Sequence, residues 1–288
     1  MSFVGKLQDS DALYFRALVA KSFFNDIEIV GHCKSESNRL MTSALEAFGT
    51  GGWIDFGDSE EVLCFSAIRS SREPGEYTFV GNADLLDYVK DDLLRLLSQL
   101  GCDIEIEGNT LKIYSSGWKV QGDAIHLPFN KSDIMASAFL LSSWGYSHKL
   151  FLSLNIERKS PGFAKLKMTL ELLKTLGFGF RYQQVLKESG GKKIEIVVPA
   201  NQKPQISSYP LETDLSLAFA LACTALVSDP IKIISFPLKS IQPESIFLEI
   251  LEEMGANFDL TDHFLAIHPT QKLKGTVVDL AECIDLFP

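Results

Sequence analysis

The sequence lacks the features that mark secreted and membrane-spanning proteins. Its five cysteines form no Cys-x-x-Cys pair, and their odd number argues against a disulfide framework. The longest apolar stretches, Ala136–Leu141 and Leu215–Val227, fall far short of the roughly 20 residues that a membrane helix needs. The first ten residues are mixed and polar, unlike a secretory signal. We therefore expect reduced thiols in a cytoplasmic protein.

Basic charge is also scarce, which excludes a general nucleic-acid-binding role. The chain has 27 Lys and Arg against 37 Asp and Glu, a net charge of −10 at pH 7 and a pI near 5.0. A nucleic-acid binder would present a net basic surface. Any anionic ligand must therefore meet a local cluster of lysine and arginine.

The length of the chain limits the number of domains. With 288 residues, 46% of them hydrophobic, the chain is long enough and apolar enough to fold as one large domain or two smaller ones.

Common catalytic and metal-binding motifs are missing as well. The stretch Ser189–Lys193 lacks the spacing of a phosphate-binding loop and is typical of a hairpin turn. His126, His263 and His268 have no cysteine or carboxylate at a recognised metal spacing, and no Gly-x-Ser-x-Gly nucleophile elbow occurs. The sequence therefore predicts neither a metal nor a cofactor.

What the sequence does contain is a repeat. Three amphipathic helix patterns end at Gly101, Gly177 and Gly255, which are 76 (177 − 101) and 78 (255 − 177) residues apart. Glycine at such a position is typical of the end of a helix, where the backbone turns into the left-handed conformation, and a strand pattern of alternating residues follows. A second, more apolar helix pattern precedes each copy and begins with a polar cap. The caps are Asp58-Ser59, Lys131-Ser132-Asp133 and Thr213-Asp214. The repeated unit thus reads strand, helix, strand, helix and hairpin.

The two helices of each unit differ in pattern. The first is apolar almost all round and should be enclosed by protein, whereas the second has a charged face. Packing three units together would place the apolar helices side by side, with their capped N-termini pointing toward one end. Helix N-termini attract anions. We expect an α/β protein of repeated βαβαββ units.

The units are expected to form two domains. We predict one complete domain over residues 26–210 and a reduced second domain formed by residues 1–25 and 211–288. A helix predicted over Ser10–Phe23 would cover apolar surface of the reduced domain. Alternatively, another chain would cover this apolar surface in a homo- or hetero-oligomer, because an incomplete domain leaves sheet edges and apolar patches exposed.

One stretch resembles a known enzyme family. Lys34-Ser35-Glu36-Ser37-Asn38-Arg39 follows a strand pattern and resembles the Gly-Ser-Lys-Ser-x-Ser-Asn-Arg helix start of 5-enolpyruvylshikimate-3-phosphate (EPSP) synthases, the 3-phosphoshikimate 1-carboxyvinyltransferases. The repeat also resembles the βαβαββ subdomain of that family, which implies an inside-out α/β fold. Residues 157–161 are similar to the family's Ser-Lys/Arg-Pro-Tyr segment, and Ile284-Asp285 is similar to its Ile-Pro-Asp.

The resemblance implies a reaction of aromatic amino acid biosynthesis. The carboxyvinyl group of phosphoenolpyruvate would move to the 5-hydroxyl of shikimate 3-phosphate, and phosphate would be released. By the same resemblance Lys34 touches phosphoenolpyruvate, Ser35 and Arg39 hold the shikimate, Ser160 contacts phosphate and Asp285 abstracts a proton. Both substrates are small anions, so no nucleic acid or membrane partner is implied.

Most of these residues also have ordinary structural interpretations. The alternative for Ser35 is an ordinary N-cap with Lys34 and Arg39 solvated, and Ser160 is equally a plain cap before a proline. Asp285 lies near the end of the sequence, where fraying is common.

A further position matches the family in part. Lys131 and Ser132 occupy the place of its Ser-Ser-Gln, which grips the shikimate phosphate, and both could bind an anion. Asp133, which follows them, would repel one.

Other positions depart from the family. Its glycine-rich loop for phosphoenolpyruvate aligns with Gly57–Glu61, where Glu60 and Glu61 put two carboxylates at a helix N-terminus, and the following arginine becomes Cys64. Its later Lys-Glu-x-Asp-Arg, Asp-His-Arg and lysine elements have no match in the sequence. We therefore expect impaired transfer by this chain alone. The alternative is a non-catalytic homologue that binds an anionic metabolite or a partner protein.

Overall fold

Helices and strands alternate along the chain, as the repeat predicts. The computed structural model describes residues 3–48, 53–129, 133–156, 164–186, 191–281, 283, 286 and 287. In chain order the elements are β1 (Phe3–Gly5), α1 (Asp11–Lys21), β2 (Glu28–Val30), α2 (Glu36–Glu46), β3 (Trp53–Gly57), α3 (Glu60–Ser70), β4 (Pro74–Gly81), α4 (Ala83–Gln99), β5 (Asp103–Glu107), β6 (Thr110–Ser116), β7 (Ile125–Phe129), α5 (Ile134–Leu141), β8 (Leu150–Ile156), α6 (Ala164–Thr175), β9 (Arg181–Leu186), β10 (Lys192–Val198), β11 (Ser208–Pro210), α7 (Leu215–Val227), β12 (Ile231–Ile234), the 3-10 helix η1 (Pro243–Ile246), α8 (Phe247–Glu253), β13 (Asn257–Leu260) and β14 (Phe264–His268).

Two units share one sheet topology. Their strand orders are β3-β4-β6-β5 and β7-β8-β10-β9. In each, the first strand pairs parallel with the second, and the last strand of the hairpin pairs antiparallel with the second. These pairings confirm the predicted α/β class and the βαβαββ unit.

A third sheet has the same order but takes its first strand from the start of the chain. Its order is β1-β12-β14-β13, with β1 parallel to β12. The strand that precedes α7 in sequence, β11, pairs instead with β2, which follows α1. The units of α1 and α7 have thus exchanged their first strands. The division into two domains stays a prediction.

The helices form an inner and an outer set. All nine residues of α3 from Val62 to Ser70 and all eight of α5 are buried, and the two helices pack against each other. Helix α1 joins them, because Leu13 and every residue from Phe15 to Ala20 are buried. In contrast, α2 and α4 each have an exposed face.

Helix α1 belongs to the larger hydrophobic cluster rather than to the third sheet. It packs against α2, α3 and α6, and its apolar side chains lie in the cluster that extends from α1 to β10. A helix that is apolar all round needs neighbours on every side, which the inner position provides. Within residues 3–25, β1 joins the third sheet, whereas α1 packs in the larger hydrophobic cluster.

Helix α7 is less enclosed than its pattern predicts. Ala218, Ala222 and Ala225 are buried in a second, smaller hydrophobic cluster, whereas Leu217 is 37% and Val227 80% exposed. The described elements that pack most closely against α7 are β14, β12 and η1. The predicted oligomer that would cover this face stays a prediction.

None of the described helices is long and apolar enough to span a membrane.

Candidate functional site

The N-termini of inner helices meet at one cavity, which we call the central cleft. It has a volume of about 290 Å³ and is lined by the starts of α1, α3 and α7, together with residues of α2, α6 and η1. The hydroxyl of Ser10 accepts a hydrogen bond from the Leu13 N–H, and that of Ser59 accepts one from Val62. Asp214 caps α7 in the same way. The structure thus confirms the predicted caps at Ser59 and Asp214.

Carboxylates outnumber cations in the lining of the central cleft. Its charged residues are Asp11, Glu61, Lys165, Asp214 and Glu244. Glu61 lies in the first turn of α3, as predicted, where the helix dipole stabilises its negative charge. Burial raises the pKa of Asp214. The helix N-termini that would attract a substrate anion therefore face carboxylates of the protein itself.

A buried arginine lies among these helices. Arg16 is 1% exposed, and its Nε donates to Thr169 Oγ1 at 2.8 Å while Nη1 donates to the Ala12 carbonyl at 2.8 Å. Burial lowers the pKa of Arg16, and the negative charges of Glu61, Asp133 and Glu244 act in the opposite direction. The guanidinium group therefore compensates the carboxylates around it.

Asp133 is the most buried of these acids. It is 6% exposed and accepts a hydrogen bond from the Leu166 N–H. Burial raises its pKa, and the charge of Arg16 opposes the shift. Sequence reasoning missed Arg16, although one signal was present: it is the sole charged residue between Leu13 and Ala20, the central part of the predicted helix.

The residues predicted from the Lys34–Arg39 motif lie together at a different concavity. This depression, which we call the α2 concavity, has a volume of about 500 Å³, and Lys34, Ser35 and Arg39 are among its lining residues. Ser35 is the N-cap of α2, with its hydroxyl accepting from the Asn38 N–H at 3.1 Å. Lys34 and Arg39 are exposed.

The electrostatics of the α2 concavity differ from those of the central cleft. Its described lining residues include no carboxylate. Arg39 donates from Nε to Glu36 at 3.0 Å, and this bond lowers the pKa of Glu36. Because α2 is an outer helix, only Ser37 of the motif lines the central cleft, whereas Lys34, Ser35 and Arg39 line the α2 concavity.

The remaining predicted site residues lie outside the described residues. They are Lys131, Ser132, Ser160 and Asp285. Their roles stay predictions. Among the residues that the structure describes, no group of three or more His, Cys, Asp or Glu is placed to hold a metal ion.

Neutralising the cleft carboxylates should improve its affinity for anions. We expect the double variant Glu61→Gln/Asp214→Asn to bind inorganic phosphate about 30-fold more tightly than the wild type, since each removed charge relieves roughly 1 kcal/mol of repulsion. Asparagine keeps the cap of α7, because it is as good an N-cap as aspartate. Isothermal titration calorimetry measures the affinity. The control Glu105→Gln/Glu107→Gln removes the same charge from β5, and an equal gain there would contradict a local effect.

A family model and several curated relatives match the chain. The model is described as EPSP synthase (3-phosphoshikimate 1-carboxyvinyltransferase) and matches residues 40–288. A 3-phosphoshikimate 1-carboxyvinyltransferase of Dehalococcoides mccartyi is 29% identical over 233 residues, which are 80% of this chain and 52% of that protein. The enzyme of the same name from Nostoc punctiforme is 25% identical over 301 residues, covering 98% and 67%.

The fold is similar to that of solved structures. An EPSP synthase from Acinetobacter baumannii superimposes with a TM-score of 0.69 at 16% identity, over 99% of this chain and 70% of that one. At this identity the likeness concerns the fold alone. The chain spans about half the length of the first curated relatives that it matches.

Proposed function

The chain belongs to the EPSP synthase family, and we propose that it binds shikimate 3-phosphate but that this chain alone transfers the carboxyvinyl group only slowly. The family model covers most of the chain, which supports the reaction class. The acidic lining of the central cleft supports the low rate.

The reaction places strict electrostatic demands on a site. The oxygen of the shikimate 5-hydroxyl adds to the carbon of phosphoenolpyruvate that bears the phosphate, while the hydroxyl loses its proton and the methylene carbon gains one. Phosphate then leaves, and the resulting methyl group loses a proton, which restores the vinyl double bond. Each phosphate brings about −1.5 to −2 charge, by analogy with phosphorylated side chains. The site must supply clustered cations, together with a proton donor and a proton acceptor.

The observation that carries the proposal is the charge of the central cleft. Four carboxylates and one lysine line it, so two anionic substrates would meet repulsion where the inner helices converge. Losing one donor that stabilises a transition state typically costs roughly 10²–10³ in rate. When several such donors are lost from one site, their rate costs need not add, but the rate remains low.

The α2 concavity is the better place for an anion. Lys34 and Arg39 bring two cations to either side of the Ser35 cap, at the positive end of a helix dipole. In this proposal Lys131, Ser132 and Ser160 add contacts to the phosphate, and Asp285 is the proton acceptor of any residual reaction.

Two measurements test the proposed function. Phosphate release from phosphoenolpyruvate with shikimate 3-phosphate should be at least about 10³-fold slower than with the Acinetobacter baumannii enzyme, as expected when several stabilising groups are absent. Calorimetric titration with shikimate 3-phosphate should nevertheless detect binding. Turnover within tenfold of that enzyme would contradict the proposal, and so would the absence of binding.

A charge-removal series locates the bound anion. We expect Lys34→Ala/Arg39→Ala to weaken shikimate 3-phosphate binding at least about tenfold, because two charge-assisted contacts are lost. The control Arg95→Ala/Lys119→Ala removes the same charge from exposed positions elsewhere and should leave the affinity within about twofold. Equal effects in both variants would mean that net charge, and not the α2 concavity, governs binding.

A further inference from the structure

The segment that leads into α2 is held by one buried side chain. The Asp9 carboxylate accepts a hydrogen bond from the His32 N–H at 2.7 Å, and the Asp9 N–H donates to the His32 carbonyl at 3.1 Å. The thiol of Cys33 donates to the Asp9 carbonyl at 3.1 Å. Two successive residues immediately before Lys34 are therefore bonded to Asp9. We call residues 31–35 the anchor loop.

The approach of Asp9 to the anchor loop is close enough to require a glycine. Gly31 has a φ of +150°, and a Cβ at this position would lie 2.7 Å from Asp9 Oδ2. A side chain there would displace the carboxylate. Asp9 is 1% exposed, and Nζ of Lys6, a side chain that is itself 53% exposed, lies 3.3 Å from its Oδ1.

Asp9 also lies where the exchanged strands cross. It forms an isolated bridge with Thr213, and the neighbouring Ser10 N–H donates to the Glu212 carbonyl at 2.8 Å. On its other side, the Asp214 N–H donates to the Gln8 carbonyl at 3.0 Å. Both chain segments that connect α1 and α7 to their exchanged strands are thus tied together beside the anchor loop.

From these contacts we infer that Asp9 is a positioning residue, which sets the place of Lys34 and Ser35 for the anionic ligand through the backbone of the anchor loop. The inference rests on the proposed function, because it assigns the ligand to the α2 concavity. Asp9 does not touch the ligand. It acts by fixing His32 and Cys33, so that the cap of α2 and its lysine are held before the anion arrives.

Cys33 provides a reporter for the anchor loop that does not depend on ligand binding. Burial raises the pKa of its thiol to about 12, and the charges of Asp11 and Asp9 add to the shift. Such a thiol reacts slowly with iodoacetamide, because the thiolate is the nucleophile. Cys223 is exposed and serves as an internal reference in the same sample.

The test compares Asp9→Ala, Asp9→Asn and Lys6→Ala in the full chain. Asparagine retains an oxygen for the His32 N–H, whereas alanine leaves that donor without its partner. We expect Asp9→Ala to raise the alkylation rate of Cys33 relative to Cys223 about tenfold and to weaken shikimate 3-phosphate binding about tenfold. Asp9→Asn and Lys6→Ala should stay within about threefold of the wild type in both measurements.

The outcomes separate this inference from the proposed function. An unchanged Cys33 rate in Asp9→Ala overturns the inference. A raised rate with unaltered affinity also overturns it, since the loop would then move without consequence for the ligand. If Asp9→Asn fails as severely as Asp9→Ala while circular dichroism shows both folded, the retained hydrogen bond is not the cause. Absence of shikimate 3-phosphate binding by the wild type contradicts the proposed function, whereas the Cys33 rates still report whether Asp9 holds the loop.

Discussion

Replacing Arg16 by methionine is expected to lower the free energy of unfolding by about 3–5 kcal/mol, the usual cost of removing one partner of a buried ionic group. The methionine fills a similar volume but offers no hydrogen to Thr169 Oγ1 or to the Ala12 carbonyl. Asp133, which is itself buried, loses the positive charge that opposes its desolvation. Urea denaturation followed by circular dichroism measures the change.

The matched control for Arg16 is Arg39→Met. Arg39 is 63% exposed and pairs with Glu36 on the surface of α2. Water screens such an exposed ion pair, so this variant should unfold at almost the wild-type urea concentration. Similar losses in the two variants would show that burial of the Arg16 charge is not what stabilises the inner helices.

The deficit of Arg16→Met should depend on pH. Burial raises the pKa of Asp133 in the folded protein, so the folded state holds this proton more tightly than the unfolded chain does. Stability therefore falls as the pH rises from about 4 through the raised pKa. Without Arg16 that pKa rises further. The difference in unfolding free energy between variant and wild type should be largest near pH 7 and smaller near pH 4, and a deficit that grows toward acid pH would contradict this account.

Phe139→Ala should cost about 3–5 kcal/mol, which is typical for truncating a buried phenylalanine. Phe139 is fully buried in α5 and stacks on Trp118, with ring centroids 5.4 Å apart and planes 11° from parallel. The substitution leaves a cavity between an inner helix and the segment that links two units. Urea denaturation again provides the measurement.

Phe151→Ala is the control for the aromatic substitution. Phe151 is 39% exposed on β8, where Lys149 Nζ lies 4.7 Å from its ring centroid. Because part of the ring is already in water, its removal should cost about 1 kcal/mol. Equal costs for Phe139 and Phe151 would argue against tight packing around α5.

Local signals allowed much of this architecture to be predicted. The helix period, the glycine stops and the polar caps are properties of short segments, and they led to the βαβαββ unit and to the caps at Ser59 and Asp214. The exchange of β1 and β11 could not be predicted in this way. Each strand has three residues and pairs with a partner about 180 or more positions away, and a short strand pattern does not specify its partner.

The motif around Lys34 shows a similar limit. Its spacing predicted that Ser35 and Arg39 would lie on one face at a helix start, and both line the α2 concavity. Spacing alone did not distinguish an outer helix from an inner one. That distinction depends on what packs around α1 and α2. Arg16 was missed for the same reason, because its neighbours come from α3, α5 and η1 and become close only in the folded chain.

The exchanged strands have a consequence for the order in which the protein is made. During synthesis β1 leaves the ribosome before its partner β12, which emerges more than roughly 200 residues later, on the order of 10–40 s at common elongation rates. Until then the β1 backbone has unpaired donors and acceptors, a state in which nascent chains associate wrongly. We therefore expect the yield of native protein to depend on chaperones and on translation speed, although β1 has only three residues.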